Sequence, residues 1–272
     1  MTDDRLTLGS LCTGYGGLDL ACRDVLGTRT AWVAENDPHA ARVCRARFKA
    51  PNLGDIKAID WADIQPIDVL AAGYPCQPFS HAGKRRGTDD PRHIWPYIAE
   101  GVRHLRPRLV VLENVAGHLT KGFGEVVGTL AAMGYDATWG CVRASDAGAP
   151  HRRARVFVVA VPDSPSADGR DPELTPVAAP PAPTAEPRER SGTFAWGRAS
   201  AAVERWERLT RPAPHPLCGR MTSPLWVEWL MGLAEGWVTA AIEDPLEQLR
   251  ILGNGVVPQQ AALALHHLLP RL

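Results

Sequence analysis

The sequence predicts an α/β fold, in which a parallel sheet carries helices on both faces. Short apolar runs alternate along the chain with amphipathic stretches, as in successive strand and helix units. Two of these runs, 109–112 and 156–161, are continuously apolar, which is typical of buried parallel strands. With 272 residues, of which 45% are hydrophobic, the chain can bury the core of one large domain, alone or with a small lobe.

The N-terminal part of the chain shows this alternation clearly. An apolar run predicts a strand at Leu6–Leu11, and helical spacing after a glycine cluster predicts a helix at Leu18–Leu26. A second strand is predicted at Thr30–Ala34. The next helix, Ala40–Phe48, follows Pro38, and proline is tolerated where a helix begins.

The remaining elements continue the pattern. Apolar runs predict further strands at Val69–Ala72, Leu109–Leu112 and Val156–Val161. Further helices are predicted at Ile94–Arg103, Glu125–Met133, Pro224–Leu233 and Gln259–Leu269. The last of these is well supported, because alanine and leucine favour helices.

The composition changes abruptly near Pro162. The 25 residues from Asp163 to Pro187 hold seven prolines and almost no large apolar side chains. Such a stretch cannot form core, so we expect an extended linker or loop. Aromatic and basic residues return between Thr193 and Leu217, without a pattern long enough to define a fold.

Apolar content and cysteine spacing narrow the class of protein. No stretch approaches the roughly 20 apolar residues of a membrane span, and the N-terminus lacks the layout of a signal peptide. We therefore expect a cytoplasmic protein. The six cysteines include no close pair, which argues for reduced thiols and against a zinc site or any other metal centre.

Charge alone does not indicate a nucleic-acid partner. The formal net charge is zero, so DNA binding has to be argued from local features. Of the 30 basic residues 26 are arginine, and they cluster near 84–92, 103–108 and 152–155. Arginine suits bidentate contacts with phosphates and bases, but the clusters could equally be solvated faces of a chain with biased composition.

The first candidate site is the segment Cys12–Gly17, where a strand runs into a helix through three glycines. Such glycines allow positive φ and let the backbone approach a ligand, although tight packing explains them too. Glu35 ends the next strand about 20 residues on, the usual place of an acid that binds ribose hydroxyls. Asp55, near a possible third strand, could hold an adenine amino group. Both acids could instead cap helices or turns.

Cys76 is the candidate nucleophile. It follows the strand that ends at Gly73 and lies between Pro75 and Pro78. A turn stiffened by prolines at the carboxyl edge of a sheet places a cysteine to react. Most single cysteines are buried core residues, but this context favours the catalytic interpretation.

Three later segments add polar groups. Glu113 and Asn114 end an apolar strand, which would put a general acid beside the cysteine turn if the two strands are neighbours. An acid at the end of a strand is also common by chance. Arg153 and Arg155 would point to the same side of an extended segment. The segment 253–258 predicts a glycine-flanked turn before the last helix.

Taken together and in this order, these segments resemble the DNA (cytosine-5) methyltransferase family. The resemblance depends on Pro75-Cys76-Gln77 with Phe79-Ser80, on Glu113-Asn114-Val115 and on the stretch from His151 to Arg155. It implies a Rossmann-like S-adenosylmethionine-dependent methyltransferase sheet, plus a small irregular target-recognition lobe. Residues 1–162 would form the catalytic and cofactor-binding domain, 163–222 a short Pro-rich linker and target-recognition region, and 223–272 a segment that returns to the catalytic domain.

The resemblance also implies a reaction. Cys76 would attack carbon 6 of a cytosine flipped out of duplex DNA, while Glu113 would hold or protonate ring nitrogen 3. Arg155 and Arg153 match family arginines near the cysteine and the target base. S-adenosyl-L-methionine would supply the methyl group and leave as S-adenosyl-L-homocysteine, and loss of the carbon-5 proton would release the enzyme.

The resemblance assigns the remaining site residues. Those implied to bind the cofactor are Cys12, Thr13, Gly14, Tyr15, Gly16, Gly17, Glu35, Asn36, Asp55, Ile56, Pro75, Asn254, Gly255 and Val256. Those implied to bind DNA are Gln77, Ser80, Lys84, Arg85 and Arg86, the last three on a loop that would close over the DNA. We expect a monomer that acts on double-stranded DNA in a bacterial cell, as a restriction-modification, phage or regulatory enzyme.

The sequence also departs from the family. Asn36 stands where the family often has a large apolar side chain, and His151 replaces a usual glutamine. The recognition region is short, so the target sequence cannot be read from it. A tRNA cytosine methyltransferase on the same scaffold and a non-catalytic DNA-binding relative are the alternatives. A dehydrogenase is disfavoured, because the glycine turn lacks the dinucleotide-binding spacing.

Overall fold

The computed structural model describes residues 5–75, 94–164 and 194–272, and a six-stranded sheet forms its centre. The strands are Thr7–Leu11 (β1), Arg29–Ala34 (β2), Val69–Gly73 (β3), Leu109–Val115 (β4), Tyr135–Arg143 (β5) and Ala154–Pro162 (β6). Their order across the sheet is β2-β1-β3-β4-β6-β5. The first four strands along the chain are parallel and lie side by side in the sheet.

Helices cover both faces of this sheet. They are Gly17–Leu26 (α1), Pro38–Arg47 (α2), Trp95–Leu105 (α3), Phe123–Ala132 (α4), Ser200–Leu209 (α5), Pro224–Leu230 (α6), Pro245–Asn254 (α7) and Pro258–Leu268 (α8). α1 and α8 share one core cluster with Val69 and Ala71, whereas α3 and α4 share another with Leu70 and Ala72. Successive strand residues face opposite sides, so both layers are buried and the predicted α/β fold is confirmed.

The direction of β6 differs from the prediction. β6 runs antiparallel to both β4 and β5, so the prediction that 156–161 form a parallel strand is wrong. These residues are apolar because both faces of the strand are buried, and burial on both faces does not determine direction. A parallel pair would need a crossover, but the connection 144–153 contains only the short 3-10 helix Ala144–Ala147.

Three elements of nine or more residues, β5, α5 and α7, were not predicted. β5 pairs only with β6 at the edge of the sheet, and most of its side chains are exposed or half-buried, so it has no apolar run. α7 starts at Pro245 after the capping residue Asp244 and ends at Asn254, inside the segment 253–258 that was predicted as a turn. α6 ends at Leu230, before the predicted end at Leu233, because Gly232 takes a φ of 72° just after the helix.

A third core cluster joins the C-terminal part of the chain to the N-terminal helices α1 and α2. It contains Trp206 of α5, Trp229 of α6, Val43 of α2 and Tyr15. The Trp206 indole donates a hydrogen bond of 2.9 Å to the Trp229 carbonyl. Between α5 and α6 lies a hairpin of two short strands, Leu217–Cys218 (β7) and Met221–Thr222 (β8). The lobe formed by residues 194–230 therefore has regular elements, where an irregular lobe was expected.

The described ranges contain neither a membrane-spanning helix nor a metal-binding cluster of side chains. None of the helices in these ranges is long and apolar enough to cross a bilayer. Within 5–75, 94–164 and 194–272, no group of three or more His, Cys, Asp or Glu side chains could hold a metal ion. The cysteines in these ranges are free, and they are Cys12, Cys22, Cys44, Cys141 and Cys218.

Candidate active site

A cavity of about 710 Å³ lies where the parallel strands β1 to β4 end. Its walls come from the residues after β1, β2 and β3, from the end of β4, from the start of β6 and from the end of α7. The sequence-predicted residues that line it are Cys12, Thr13, Gly14, Glu35, Asn36, Asp55, Ile56, Pro75, Glu113, Arg153, Arg155, Asn254, Gly255 and Val256. The carboxyl ends of parallel strands meet at one edge of a sheet, and this is why segments far apart in sequence share one cavity.

The glycine turn contains residues with two different functions. Cys12 and Gly14 line the cavity with φ of 52° and 60°. Tyr15, Gly16 and Gly17 do not line it. A Cβ on Gly16 would lie 2.2 Å from the Phe48 ring, and one on Gly17 would lie 2.0 Å from the Val256 carbonyl oxygen. The latter two glycines are therefore required by close packing.

Glu35 is held by the backbone on both of its carboxylate oxygens. One accepts a hydrogen bond of 2.8 Å from the Gly14 amide, and the other accepts one of 2.8 Å from the Asp37 amide. Asn52 bonds the Glu35 main chain in both directions, at 3.0 Å each. Burial raises the pKa of Glu35, while the backbone donors at Asp37 and Gly14 oppose the rise. The carboxylate is thus fixed in the cavity wall beside the glycine turn.

Asp55 and Ile56 form the adjoining wall. Asp55 caps the short 3-10 helix Ile56–Ala58, and its carboxylate accepts a hydrogen bond of 3.0 Å from the Lys57 amide. Ile56 is buried in the core beneath α3 and also lines the cavity. The capping interpretation of Asp55 holds, and the same residue faces the cavity as well.

Glu113 forms a buried ion pair with Arg155 at the other end of the cavity. Arg155 Nε lies 2.9 Å from Glu113 Oε1, and Glu113 is 7% exposed. Burial raises the pKa of Glu113 from its ordinary value of 4.5 to about 7, and Arg155 and Arg153 oppose that rise. In the sheet, Glu113 pairs with Gly73, so β3 ends directly beside this carboxyl group. The arrangement keeps one carboxyl group close to its titration point near neutral pH.

Arg153 stabilises the turn at Asn254. Its guanidinium donates hydrogen bonds of 3.0 Å to the Gly253 carbonyl and 2.8 Å to the Gly255 carbonyl. Tyr15 donates a further bond of 2.7 Å from its hydroxyl to the Val256 carbonyl. Arg153 and Tyr15 thus position the cavity residues Asn254 to Val256.

Sequence reasoning missed other residues of the cavity wall. Asp19 in α1 lines the cavity, and burial raises its pKa to about 6 against the hydrogen bonds donated by Ser10 and Thr30. Asp37 caps α2 and pairs with Arg250 of α7 at 2.7 Å. The Asp37-Pro38 pair is a helix-start signal that could have identified Asp37. Arg250 gave no signal, because α7 itself was not predicted.

Six predicted residues lie outside the part of the chain that the structure describes. They are Cys76, Gln77, Ser80, Lys84, Arg85 and Arg86. Pro75, the last residue described before them, lines the cavity. Cys76 is therefore the neighbour in sequence of a residue of the cavity wall.

Comparison with known proteins identifies the class to which this fold and cavity belong. Residues 6–194 match the C-5 cytosine-specific DNA methylases, and the chain belongs to that family. Over 160 residues it is 35% identical to the Type II methyltransferase M.BsuFI of Bacillus subtilis, a match that covers 57% of this chain and 39% of the relative. Over 159 residues it is 36% identical to M.NgoBI of Neisseria gonorrhoeae, covering 57% and 50%. The matched region spans half or less of these relatives.

Solved structures share the fold over nearly the whole chain. A DNA modification methyltransferase encoded within an Escherichia coli prophage matches with a TM-score of 0.65 and 22% identity, covering 97% of this chain and 99% of that one. A Spodoptera frugiperda DNMT2 variant matches with a TM-score of 0.67 and 17% identity, covering 96% and 98%. These likenesses support the Rossmann-like methyltransferase architecture.

Proposed function

We propose that this protein transfers a methyl group from S-adenosylmethionine to carbon 5 of a cytosine in duplex DNA. The observation that carries the proposal is that one cavity contains both Glu35, beside the glycine turn, and the Glu113–Arg155 pair. Glu35 and the glycine turn suit a nucleoside cofactor, whereas the Glu113–Arg155 pair suits a pyrimidine base. Membership of the C-5 cytosine methylase family supports the same assignment.

The residues around Glu35 fit the proposed cofactor. The rigid Glu35 carboxylate suits ribose hydroxyls, while Ile56 and Asp55 offer an apolar contact and an acceptor to an adenine ring. The cavity volume of about 710 Å³ lies within the range of ordinary cofactor sites. Bound there, S-adenosylmethionine would supply an electrophilic methyl group. Gly14, Asn36, Asn254 and Val256 complete the proposed cofactor wall.

The protein groups of the proposed mechanism lie at the other end. The Cys76 thiolate forms a bond to carbon 6 of the cytosine, which makes carbon 5 nucleophilic. The Glu113 carboxyl group, held by Arg155, donates its proton or a hydrogen bond to ring nitrogen 3 and so stabilises the charge on the ring. Carbon 5 takes the methyl group and S-adenosylhomocysteine is left. Carbon 5 then loses its proton to water, the bond between sulfur and carbon 6 breaks, and the Cys76 thiolate is restored.

The DNA contacts belong to the same proposal. Gln77, Ser80 and the basic residues Lys84, Arg85 and Arg86 follow Cys76 in sequence and would bind the duplex around the extruded base. The relatives named above are Type II methyltransferases, which supports a modification role for this chain too. The division at 162 and 222 into catalytic, recognition and returning segments also remains a prediction.

Trapping with 5-fluorocytosine tests the covalent step. Duplex DNA that carries this base should form a denaturation-resistant adduct with the protein in the presence of S-adenosylmethionine, because fluorine at carbon 5 cannot leave as a proton does. Cys76→Ser should abolish the adduct, whereas Cys141→Ser, at an exposed cysteine of β5, should not change it. A Cys76→Ser protein that methylates DNA at the normal rate would refute the proposal. Efficient methylation of tRNA, with no methylation of duplex DNA, would instead identify the protein as a tRNA cytosine methyltransferase.

A further inference from the structure

The β7–β8 hairpin belongs to the lobe formed by residues 194–230. All six residues from Leu217 to Thr222 are exposed. Leu217 is 48% exposed and Met221 is 44% exposed. Leu217 pairs with Thr222 and Cys218 pairs with Met221, so the two large apolar side chains lie on opposite faces of the hairpin. The ribbon therefore presents one large apolar side chain to solvent on each of its two faces.

The hairpin is nevertheless well defined at its base and its tip. The Ser223 amide donates a hydrogen bond of 2.9 Å to the Pro216 carbonyl, which closes the base, and Ser223 also caps α6. Gly219 takes a φ of 61° as the first residue of the two-residue turn, which type II′ hairpins require. The neighbouring α6 is braced by Trp226, which stacks on Trp196 with ring centroids 4.9 Å apart. The arm is therefore preorganised.

The positive charge of the lobe indicates which kind of partner it binds. Arg220 occupies the tip, and in the described part of the chain it makes no hydrogen bond or ion pair. Residues 194–230 contain five arginines and three glutamates, although the whole chain has a net charge of zero. An anionic partner fits this lobe, and the largest anionic surface available to a DNA methylase is the duplex itself.

The lobe is attached beside the base-binding end of the cavity. Arg205 of α5 donates a hydrogen bond of 3.2 Å to the Gly148 carbonyl. His151 Nε2 lies 3.0 Å from the carbonyl oxygen of Leu230, at the end of α6. Arg153 and Arg155 follow His151 within four residues along the chain. The lobe that carries the hairpin is therefore bonded to the segment that leads into Arg155, the partner of Glu113.

We propose that the β7–β8 hairpin enters the major groove and that Arg220 reads a guanine near the target cytosine. This inference rests on the proposed function. The major groove is about 12 Å wide and accepts a two-stranded ribbon, and arginine bidentate to guanine O6 and N7 is the commonest specific contact. Leu217 and Met221 contact the groove walls or thymine methyl groups from the two faces of the ribbon.

Binding selection from a random duplex library, read by sequencing, tests the proposal without requiring catalysis. Arg220→Ala and Arg220→Lys should both lose preference for guanine at one position by roughly 10- to 100-fold, because lysine keeps the charge but lacks the fork. Arg271→Ala removes an exposed arginine at the C-terminus and should leave the preference intact.

Other outcomes would overturn the hairpin proposal. If Arg220→Ala weakens binding equally for all sequences and Arg220→Lys restores it, Arg220 contacts phosphate and reads no base. Unchanged base preference in both variants, or no sequence preference in the unaltered protein, would also overturn it. An unaltered protein that binds selectively but never methylates would instead refute the proposed function and leave the role of Arg220 in recognition standing.

Discussion

Glu113 and Arg155 pair diagonally across two antiparallel strands. Glu113 lies opposite Phe157 in the sheet, while Arg155 lies opposite Val115. Val115 is two residues after Glu113 in β4, and Arg155 is two residues before Phe157 in β6. Residues two apart share a face, so both side chains reach the same cavity and meet at 2.9 Å. The antiparallel direction of β6 therefore sets the geometry of the proposed catalytic acid.

Glu113→Gln should lower the methylation rate at saturating DNA and cofactor by about 10²- to 10⁴-fold, because a proton donor to ring nitrogen 3 is lost. The dissociation constant for S-adenosylmethionine, measured by calorimetry, should change little. Glu243→Gln, at an exposed glutamate, serves as the matched control and should keep full activity. Undiminished turnover in Glu113→Gln would remove this residue from the mechanism.

The stability of the protein should depend on the protonation of Glu113. Its pKa is about 7 in the folded protein against an ordinary value of 4.5, so between these values only the unfolded chain releases the proton. The free energy of unfolding that this group contributes is therefore full below pH 4.5 and falls as the pH rises through about 7. Denaturant titrations of wild type and Glu113→Gln at several pH values should show that their difference changes over this range. A pH-independent difference would contradict the raised pKa.

Gly255 and Gly253 provide a matched pair of alanine substitutions. A Cβ on Gly255 would lie 1.9 Å from the Tyr15 ring, whereas nothing lies within 4 Å of one on Gly253. Gly255→Ala should destabilise the protein by roughly 1–3 kcal/mol and weaken cofactor binding, because Tyr15 or the turn must move. Gly253→Ala should leave both unchanged or raise stability slightly. Thermal unfolding and calorimetric titration measure the two effects, and equal behaviour of the variants would contradict the packing argument.

Substitutions of Arg153 and Arg155 should change different kinetic constants. Arg153→Met loses two hydrogen bonds to the carbonyls of Gly253 and Gly255, so the Michaelis constant for S-adenosylmethionine should rise roughly 10-fold or more with a smaller effect on turnover. Arg155→Met leaves the Glu113 carboxylate unpaired and should act mainly on turnover. If both variants reduced turnover alike and spared the Michaelis constant, Arg153 would act at the base and not through the turn.

Much of the site could be predicted because its signals are local. Glu35 and Glu113 each follow an apolar run, and the chain order of the motifs brings them to one edge of a parallel sheet. β5 could not be predicted, because an edge strand with mixed burial carries no apolar run. The packing roles of Gly16 and Gly17 were equally hidden, since the atoms they approach lie in Phe48 and Val256.

Sequence patterns were enough to predict the α/β class, the family and part of the cavity wall, including Glu35 and Glu113, because strand and turn patterns depend on neighbours along the chain. Tertiary structure alone decided the direction of β6, the bond between Tyr15 and the Val256 carbonyl, and the division of labour between Arg153 and Arg155. These features depend on contacts between segments up to 241 residues apart, which form only when the whole sheet and its helices pack together.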